Sequence, residues 1–420
     1  MTNSKIKWMI LCLAIFAFPR QSRSQTVVPP TFFGMDWNNA PDFPSVPFGA
    51  IRLWDTGTTW AQIETGPGVY SWGQLDAWLA TASRNDKDVI YTFGFVPTFA
   101  SSNPTQACSD ETTNPGCAAP PADLTSGDNA WKTFVTALVN HSLSDPSKHI
   151  SYYEIWNEPD LLQRWTGTPA QLAIMATDAY TIIKTLDPTA KVIGPSPSTA
   201  NQWGAHFLPA YYAAGGAIQQ DIVGLHAYLY VADGSTFSTS PEGITTSISQ
   251  LRSLMSIYGI SSKPIFFTEG SYGSCIMTDA QKVAYIGQEY LLMATGGVAR
   301  YYWYSWDSAG FGTMWNASSG IQPVGTAYGQ LNRWMVGATV SPCVSSGTVY
   351  TCSLSRAVSY KAVVAWDTSG PSVYPVPLQF SSYRDLAGVT HPIAGTSVTI
   401  GPEPIILEFP APANLKAAAL

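Results

Sequence analysis

The sequence predicts a (β/α)8 barrel followed by a small all-β, sandwich-like domain. Three observations carry that reading. From residue 31 to about residue 340, runs rich in β-branched and aromatic residues alternate with segments of helical spacing, eight times over. Such alternation makes a parallel sheet with helices outside it, and eight units in roughly 310 residues fit closure into a barrel. Beyond residue 340 the apolar period falls to two. The structural alternative is an open doubly wound sheet. It expects a GxGxxG turn after the first strand, and no such motif stands there.

The strand candidates, in order, are TFFGMDW (31–37), GAIRLWD (49–55), DVIYTFGFV (88–96), SYYEIWNE (151–158), KVIGPS (191–196), DIVGLHAYLY (221–230), PIFFTEG (264–270) and ARYYWYSWD (299–307). Helical spacing recurs at 75–83, 128–143, 168–186, from 278 onward, and at 324–336 as the eighth helix. The helix at 168 opens on Thr168–Pro169, a cap followed by proline at the first helical position. Thr278 and Gln281 have capping-box spacing, and Gly296–Gly297 supply the residue type that closes a helix. The runs TVYTCSLSR, YKAVVAWDT, VPLQF, TSVTIG and PIILEF then read as strands of the small domain. The expected boundaries are a leader at 1–24, the barrel at 25–339, the β domain at 340–411 and a frayed tail at 412–420.

Apolar residues make up 45% of the 420, enough for a sizeable core, whereas charged residues are only 12%. A net charge of −7 offers no basic footprint for nucleic acid. Lys5 and Lys7 precede the apolar run 8–18, and Ser22 and Ser24 follow it. This is the order of a signal peptide, with cleavage expected near Ser24–Gln25 and a secreted or periplasmic destination. An uncleaved anchor is the alternative, although the run is short for a membrane-spanning helix. Cys108 with Cys117, and Cys343 with Cys352, read as local disulfides that suit an oxidising compartment; Cys12 goes with the leader, and Cys275 is left as a buried thiol. The cysteines lack the paired spacing of a structural zinc site, and no cofactor motif is present.

In barrels of this kind the site lies where the strands end. The fourth strand ends Ile155-Trp156-Asn157-Glu158-Pro159, and the seventh ends Phe267-Thr268-Glu269-Gly270. Fourth and seventh strands face each other across an eight-strand ring, which sets two carboxyls against each other. Two carboxyls about 5 Å apart can cleave a glycosidic bond with retention. One gives a proton to the leaving oxygen and the other attacks the anomeric carbon, so their pKa values must be pushed apart, with Glu158 expected high and Glu269 low. Glu154 stands an even step before Glu158 and is given no chemistry. Trp37 and Asn38 end the first strand and are candidates to touch sugar, with Asp55 and Asp307 as further strand-end acids.

These motifs resemble glycoside hydrolase clan A, the retaining (β/α)8 glycosidases. The resemblance covers roughly residues 31–340, and rests on Asn157-Glu158-Pro159 after the fourth strand with Thr268-Glu269-Gly270 on the seventh. RLWD at 52–55, the W-x-x-I-E and G-x-Y-x-W run at 60–72, and the trailing β domain look most like family 39 and its neighbours. The resemblance implies Glu158 as acid/base and Glu269 as nucleophile. It implies Asn157 at the sugar 2-hydroxyl, Arg52 beside the nucleophile, and His226 and Tyr228 on the sixth strand. It implies an aromatic platform on the eighth strand, from Trp303 or Trp306; their odd separation lets at most one face the site. The 103–124 loop departs from the usual pattern, and substrate class does not carry over.

The expected function is therefore a secreted retaining glycosidase acting on a β-linked oligo- or polysaccharide, with no metal. Two alternatives use the same fold. A transglycosylase would share both glutamates, and a non-catalytic carbohydrate-binding barrel would lack one. A metal-dependent hydrolase would need a cluster of histidines at strand ends, and His226 stands alone there among five in the chain.

Overall fold

The computed structural model describes residues 27–38, 42–108, 114–198, 204–228, 241–273, 277–308, 310–357 and 359–409. The leader, Cys12, Cys275, residues 229–230 and the tail at 412–420 lie outside the described residues. The barrel strands are β1 (Phe33–Asp36), β2 (Ala50–Leu53), β3 (Asp88–Thr92), β4 (Tyr152–Glu154), β5 (Lys191–Ile193), β6 (Val223–Tyr228), β7 (Ile265–Ser271) and β8 (Arg300–Trp303). All pair in parallel, with β8 beside β1 and each other strand beside its sequence neighbour. A parallel bridge between Ile193 and Ile222 joins β5 to the start of β6 and closes the ring.

Seven long helices are found among the described residues: α1 (Gly73–Arg84), α2 (Ala130–Leu143), α3 (Pro169–Leu186), α4 (Gly204–Ala213), α5 (Gly243–Ile257), α6 (Asp279–Thr295) and α7 (Pro323–Met335). The strict eightfold strand–helix alternation needs one correction. No helix stands between β1 and β2 among the described residues, because the link from Trp37 to Gly49 is short and carries three prolines. The cap signals hold. Thr168 accepts from the Gln171 backbone with Pro169 behind it, Thr278 makes the same box with Gln281, and Gly297 takes φ +70° just past α6.

Two layers fill the barrel. Ala50, Ile90, Ile193, Ile222, Phe266 and Tyr302 pack in an apolar layer. One alternation step further along the strands the inward residues become Asp36, Arg52, Thr92 and Glu154, all buried. The change from hydrocarbon to ions lies at the strands' C-terminal ends, where it builds the floor of a site.

After α7 the chain forms an antiparallel sheet of β9 (Thr339–Val340), β10 (Val349–Arg356), β11 (Tyr360–Asp367), β12 (Ser382–Arg384), β13 (Thr390–Pro392) and β14 (Ile405–Phe409), in the order β9-β10-β11-β14-β12-β13. A two-stranded ladder of Ser372–Pro375 with Ser397–Ile400 covers one face, and Ala365, Val376, Phe380, Val398, Ile400, Ile405 and Leu407 fill the space between. The Cys343–Cys352 disulfide closes the hairpin that enters β10. This domain is tied to the barrel from both ends. Val28 donates to the Ala338 carbonyl, and Gln288 of α6 donates to the Pro402 carbonyl. No helix among the described residues is long and apolar enough to cross a membrane.

Candidate active site

Arg52 organises the site. It rises from β2 in register with Asp36 of β1 and Ile90 of β3, and its side chain is wholly buried. Its Nε donates to Glu154 Oε2 at 2.7 Å, Nη1 to Glu269 Oε2 at 2.7 Å, and Nη2 to Asn157 Oδ1 at 2.5 Å. One planar guanidinium thus sets side chains of β4 and β7 and of the β4 end in fixed relation, which a point-charge lysine cannot do. Glu154 is completed by Thr92 Oγ1 at 2.7 Å and Ser196 Oγ at 2.5 Å. Burial pushes its carboxyl up, but Arg52, His226 and the hydroxyls of Ser196 and Thr268 outweigh that, and the pKa falls below the ordinary value. Glu154 is the permanent counter-ion of Arg52.

Two backbone devices aim the glutamates. Glu158 takes φ +44°, an uncommon conformation for a side chain of its size. In β7 the register against β6 shifts after Leu225, so that His226 pairs with Glu269. This bulge lets neighbouring residues both point inward, as bulges beside active sites do. Thr268 donates to Ser196 below, while Glu269 reaches Arg52 and Tyr228 above.

Tyr228 donates its hydroxyl to Glu269 Oε1 at 2.5 Å, and His226 Nδ1 stands 3.1 Å from Glu158 Oε1. One oxygen of each glutamate and a ring nitrogen of His226 lie within 4.8 Å of one another. They form the one such cluster of potential metal ligands among the described residues. The buried Arg52 cation already occupies Glu269, so a divalent ion would meet strong repulsion there. Arg164, in the loop after β4, lies 3.9 Å from Glu158 Oε2 and covers the rings of Trp54 and Phe95.

The expected order of pKa values is reversed in the free protein. Burial raises Glu158, but the hydrogen bond and charge of His226, then Arg164 and Arg52, bring it below the ordinary value. Burial raises Glu269 too, and the Glu158 charge adds to that, so it stays above the ordinary value despite His226, Arg52 and Tyr228. The expectation weighed Arg52 against Glu269 alone and left out a base between the two carboxylates. Burial lowers His226, but Glu269 and Glu158 raise it past its usual value. Asp36, also buried, is pushed well up by desolvation, with Arg52 opposing and Glu269 and Glu154 adding to the rise. It is the weakest of the carboxylate contacts to Arg52, at 3.5 Å.

Sequence reasoning brought Arg52, Asn157, Glu158, His226, Tyr228 and Glu269 to one place, and the structure joins all six. Trp37 and Trp303 need correction. Asp36 and Tyr302 face the barrel interior, so their neighbours turn outward. Trp37 packs edge-on against Phe43 and Trp78, and Trp303 packs among Tyr272, Tyr285 and Tyr301. Trp306 lies past the strand, buried and stacked on Trp315. The eighth-strand aromatic at the mouth is instead Tyr304, an even step beyond Tyr302, with its hydroxyl donated to Asp55 Oδ2 at 2.7 Å. Parity with Tyr302 was the available signal. Glu154 and Asp36 were the other omissions, and only the layer they share with Arg52 reveals their part.

An eight-stranded barrel with two facing carboxyls, one just past β4 and one on β7, the second gripped by a buried arginine, defines a glycoside hydrolase of the retaining class. Comparison with known proteins agrees. The sequence profile described as glycosyl hydrolases family 39 matches residues 70–285, just over half of the chain. The chain belongs to glycosyl hydrolases family 39. A solved family 39 glycoside hydrolase from Bacteroides cellulosilyticus superposes with a TM-score of 0.69 at 15% identity, covering 90% of this chain and 81% of that one. A monomeric β-xylosidase from Caulobacter crescentus gives 0.64 at 18% identity, covering 91% and 96%. A family 30 endoxylanase from Clostridium papyrosolvens gives 0.59 at 14%, covering 89% and 94%. At these identities the likeness speaks for the fold. A search of curated protein sequences gives no match.

Proposed function

We propose that this protein is a secreted β-glycosidase working by double displacement, with Glu269 as nucleophile and Glu158 as acid/base. The observation that carries the reading is the pairing of the two carboxylates within 4.8 Å across the mouth, a separation that leaves no room for a water between carboxylate and sugar. Glu269 Oε attacks the anomeric carbon as the glycosidic C–O bond breaks, and Glu158 gives its proton to the leaving oxygen. In the second half Glu158, now ionised, takes a proton from water, whose oxygen attacks the anomeric carbon and releases Glu269. Positive charge on the anomeric carbon favours an ionised Glu269, so the reacting sugar itself corrects the resting pKa order. Asn157 Nδ2, buried and without a partner in the protein, is free to donate to the sugar 2-hydroxyl.

The two disulfides suit the oxidising compartment that the leader implies. The neighbours named as β-xylosidase and endoxylanase make β-xylosides the first substrates to try. The test is hydrolysis of aryl β-xylosides and β-linked oligosaccharides, with the anomeric configuration of the first product read by NMR. Retention, lost in Glu269→Gln and restored in Glu158→Ala as a glycosyl azide when azide is added, supports the assignment. An inverted product, or an active Glu269→Gln variant, refutes it.

A further inference from the structure

The rim of the mouth beside Glu269 is built differently from the rim beside Glu158. On the Glu158 side stands a cation, Arg164, in the loop that follows β4. On the Glu269 side Tyr304 reaches from the end of β8 over β1 to Asp55, at the end of β2. Phe311 stands edge-on to both Tyr304 and Tyr228, with ring centroids 6.2 and 6.1 Å away, so Tyr228, Phe311, Tyr304 and Asp55 make one continuous wall. Asp55 holds φ +57° to present its carboxylate there, and the residue remains exposed. Just past the end of β1, which runs between β8 and β2, Asn38, 7% exposed, donates its backbone N–H to Asp307 at 2.9 Å and leaves Oδ1 without a partner.

In a retaining β-glycosidase the leaving group lies beyond the acid/base and the retained sugar lies over the nucleophile. The wall beside Glu269 therefore belongs to the retained sugar. It offers an acceptor, the Asp55 carboxylate. The basic groups that act on Glu269 are His226 and Arg52. His226 is held by Glu158, and Arg52 by Glu154, Glu269 and Asn157. Sugar hydroxyls can donate to this wall. A sugar carboxylate would face two like charges, with the nearby cations already engaged.

We propose that the Tyr304–Asp55 wall makes the enzyme selective for a neutral retained sugar and closes it to uronic acids. The inference rests on the assignment of Glu269 as nucleophile. The probes are 4-nitrophenyl β-D-xyloside, β-D-glucoside and β-D-glucuronide, which differ only in the C5 substituent: hydrogen, hydroxymethyl or carboxylate. The expected result is a kcat/KM for the glucuronide at least about thirtyfold below that of the better neutral substrate, a gap that narrows with added salt. Asp55→Asn removes the charge and keeps the shape, and should close about tenfold of the gap. A glucuronide hydrolysed as well as the neutral substrates, or a gap unchanged in Asp55→Asn, overturns the proposal and leaves the catalytic assignment standing. If no glycoside is turned over, the catalytic assignment fails, and selectivity is then read from calorimetric titration with the matching xylono-, glucono- and glucurono-lactams. Tighter binding of the neutral lactams, weakened in Asp55→Asn, upholds it; equal or tighter binding of the acidic lactam overturns it.

Discussion

His226 Nδ1 lies 3.1 Å from Glu158 Oε1, and its other nitrogen faces Arg52 Nη2 at 3.5 Å. With Nε2 turned toward a guanidinium, the proton on Nδ1 is the one that faces Glu158. Imidazole and carboxylates form one titrating unit, and its apparent pKa values belong to the set. His226 lowers the pKa of Glu158 and of Glu269 alike. Replacing it by Gln removes that effect from both. Glu158 then keeps its proton to higher pH and Glu269 gains its charge only at higher pH. Both limbs of the kcat/KM profile should move upward. A profile that only falls in height, with unmoved limbs, would assign His226 to packing alone.

Arg52 offers a second test because its contacts are so unequal to those of any substitute. Removing it leaves Glu154 and Glu269 buried without their cation. Arg52→Met should cost about 3–5 kcal/mol in urea denaturation, the usual loss when one partner of a buried pair goes. Arg52→Lys keeps the charge but cannot reach Glu154, Glu269 and Asn157 together. It should regain much of the stability while kcat/KM stays down by about a hundredfold. Equal recovery of both quantities by Lys would show that charge alone matters.

The fold and the two glutamates were legible because each is a local pattern. A run of apolar residues that ends in Asn157-Glu158 or Thr268-Glu269 carries its strand and its strand end together. Residues set by cross-barrel geometry were harder. Glu154 is buried and ionised only because Arg52, two strands away, points into the same layer. The bulge at Thr268 is visible only in the register against β6. Tyr304 shows the limit of alternation used without a reference. The odd spacing between Trp303 and Trp306 decides nothing, since the strand ends at Trp303 and only Tyr302, fixed inside by the apolar layer, tells which parity faces in.

The Cys108–Cys117 disulfide sits under the Glu158 rim. It packs with Trp54, Phe95 and Ala118, and the Ala118 carbonyl accepts from the Thr166 backbone, two residues beyond Arg164. A bridge closing so short a loop is worth about 2–3 kcal/mol in the chain-entropy account. The double Cys→Ser variant should lose about that much in thermal or urea unfolding. Loosening Arg164 also weakens its lowering of the Glu158 pKa, the lower of the pair in the free protein, so the acidic limb of the kcat/KM profile should move up while the basic limb stays. This separates it from His226→Gln, which moves both. An unchanged acidic limb would mean that the bridge stabilises the loop without bearing on Glu158.

Glu289 on α6 couples stability to pH from outside the cleft. It is buried, with hydroxyls of Tyr285 and Tyr301 donating to its two oxygens at 2.8 and 2.7 Å. Burial outweighs those bonds and pushes its pKa from 4.5 to about 8. Between those values the folded chain holds a proton that the unfolded chain has released. Stability from the neutral carboxyl is therefore full below pH 4.5 and is lost as pH rises toward 8. A shift of this size amounts to about 3–5 kcal/mol over the window. Glu289→Gln has nothing to ionise. Relative to the parent, it should be of similar or lower stability at about pH 5 and more stable at about pH 9, by urea denaturation at both. The difference between the two pH values cancels every other titrating group that the proteins share. If it is near zero, Glu289 is ionised in the fold or reached by water, and the tyrosine pair is holding a charge instead of a neutral acid.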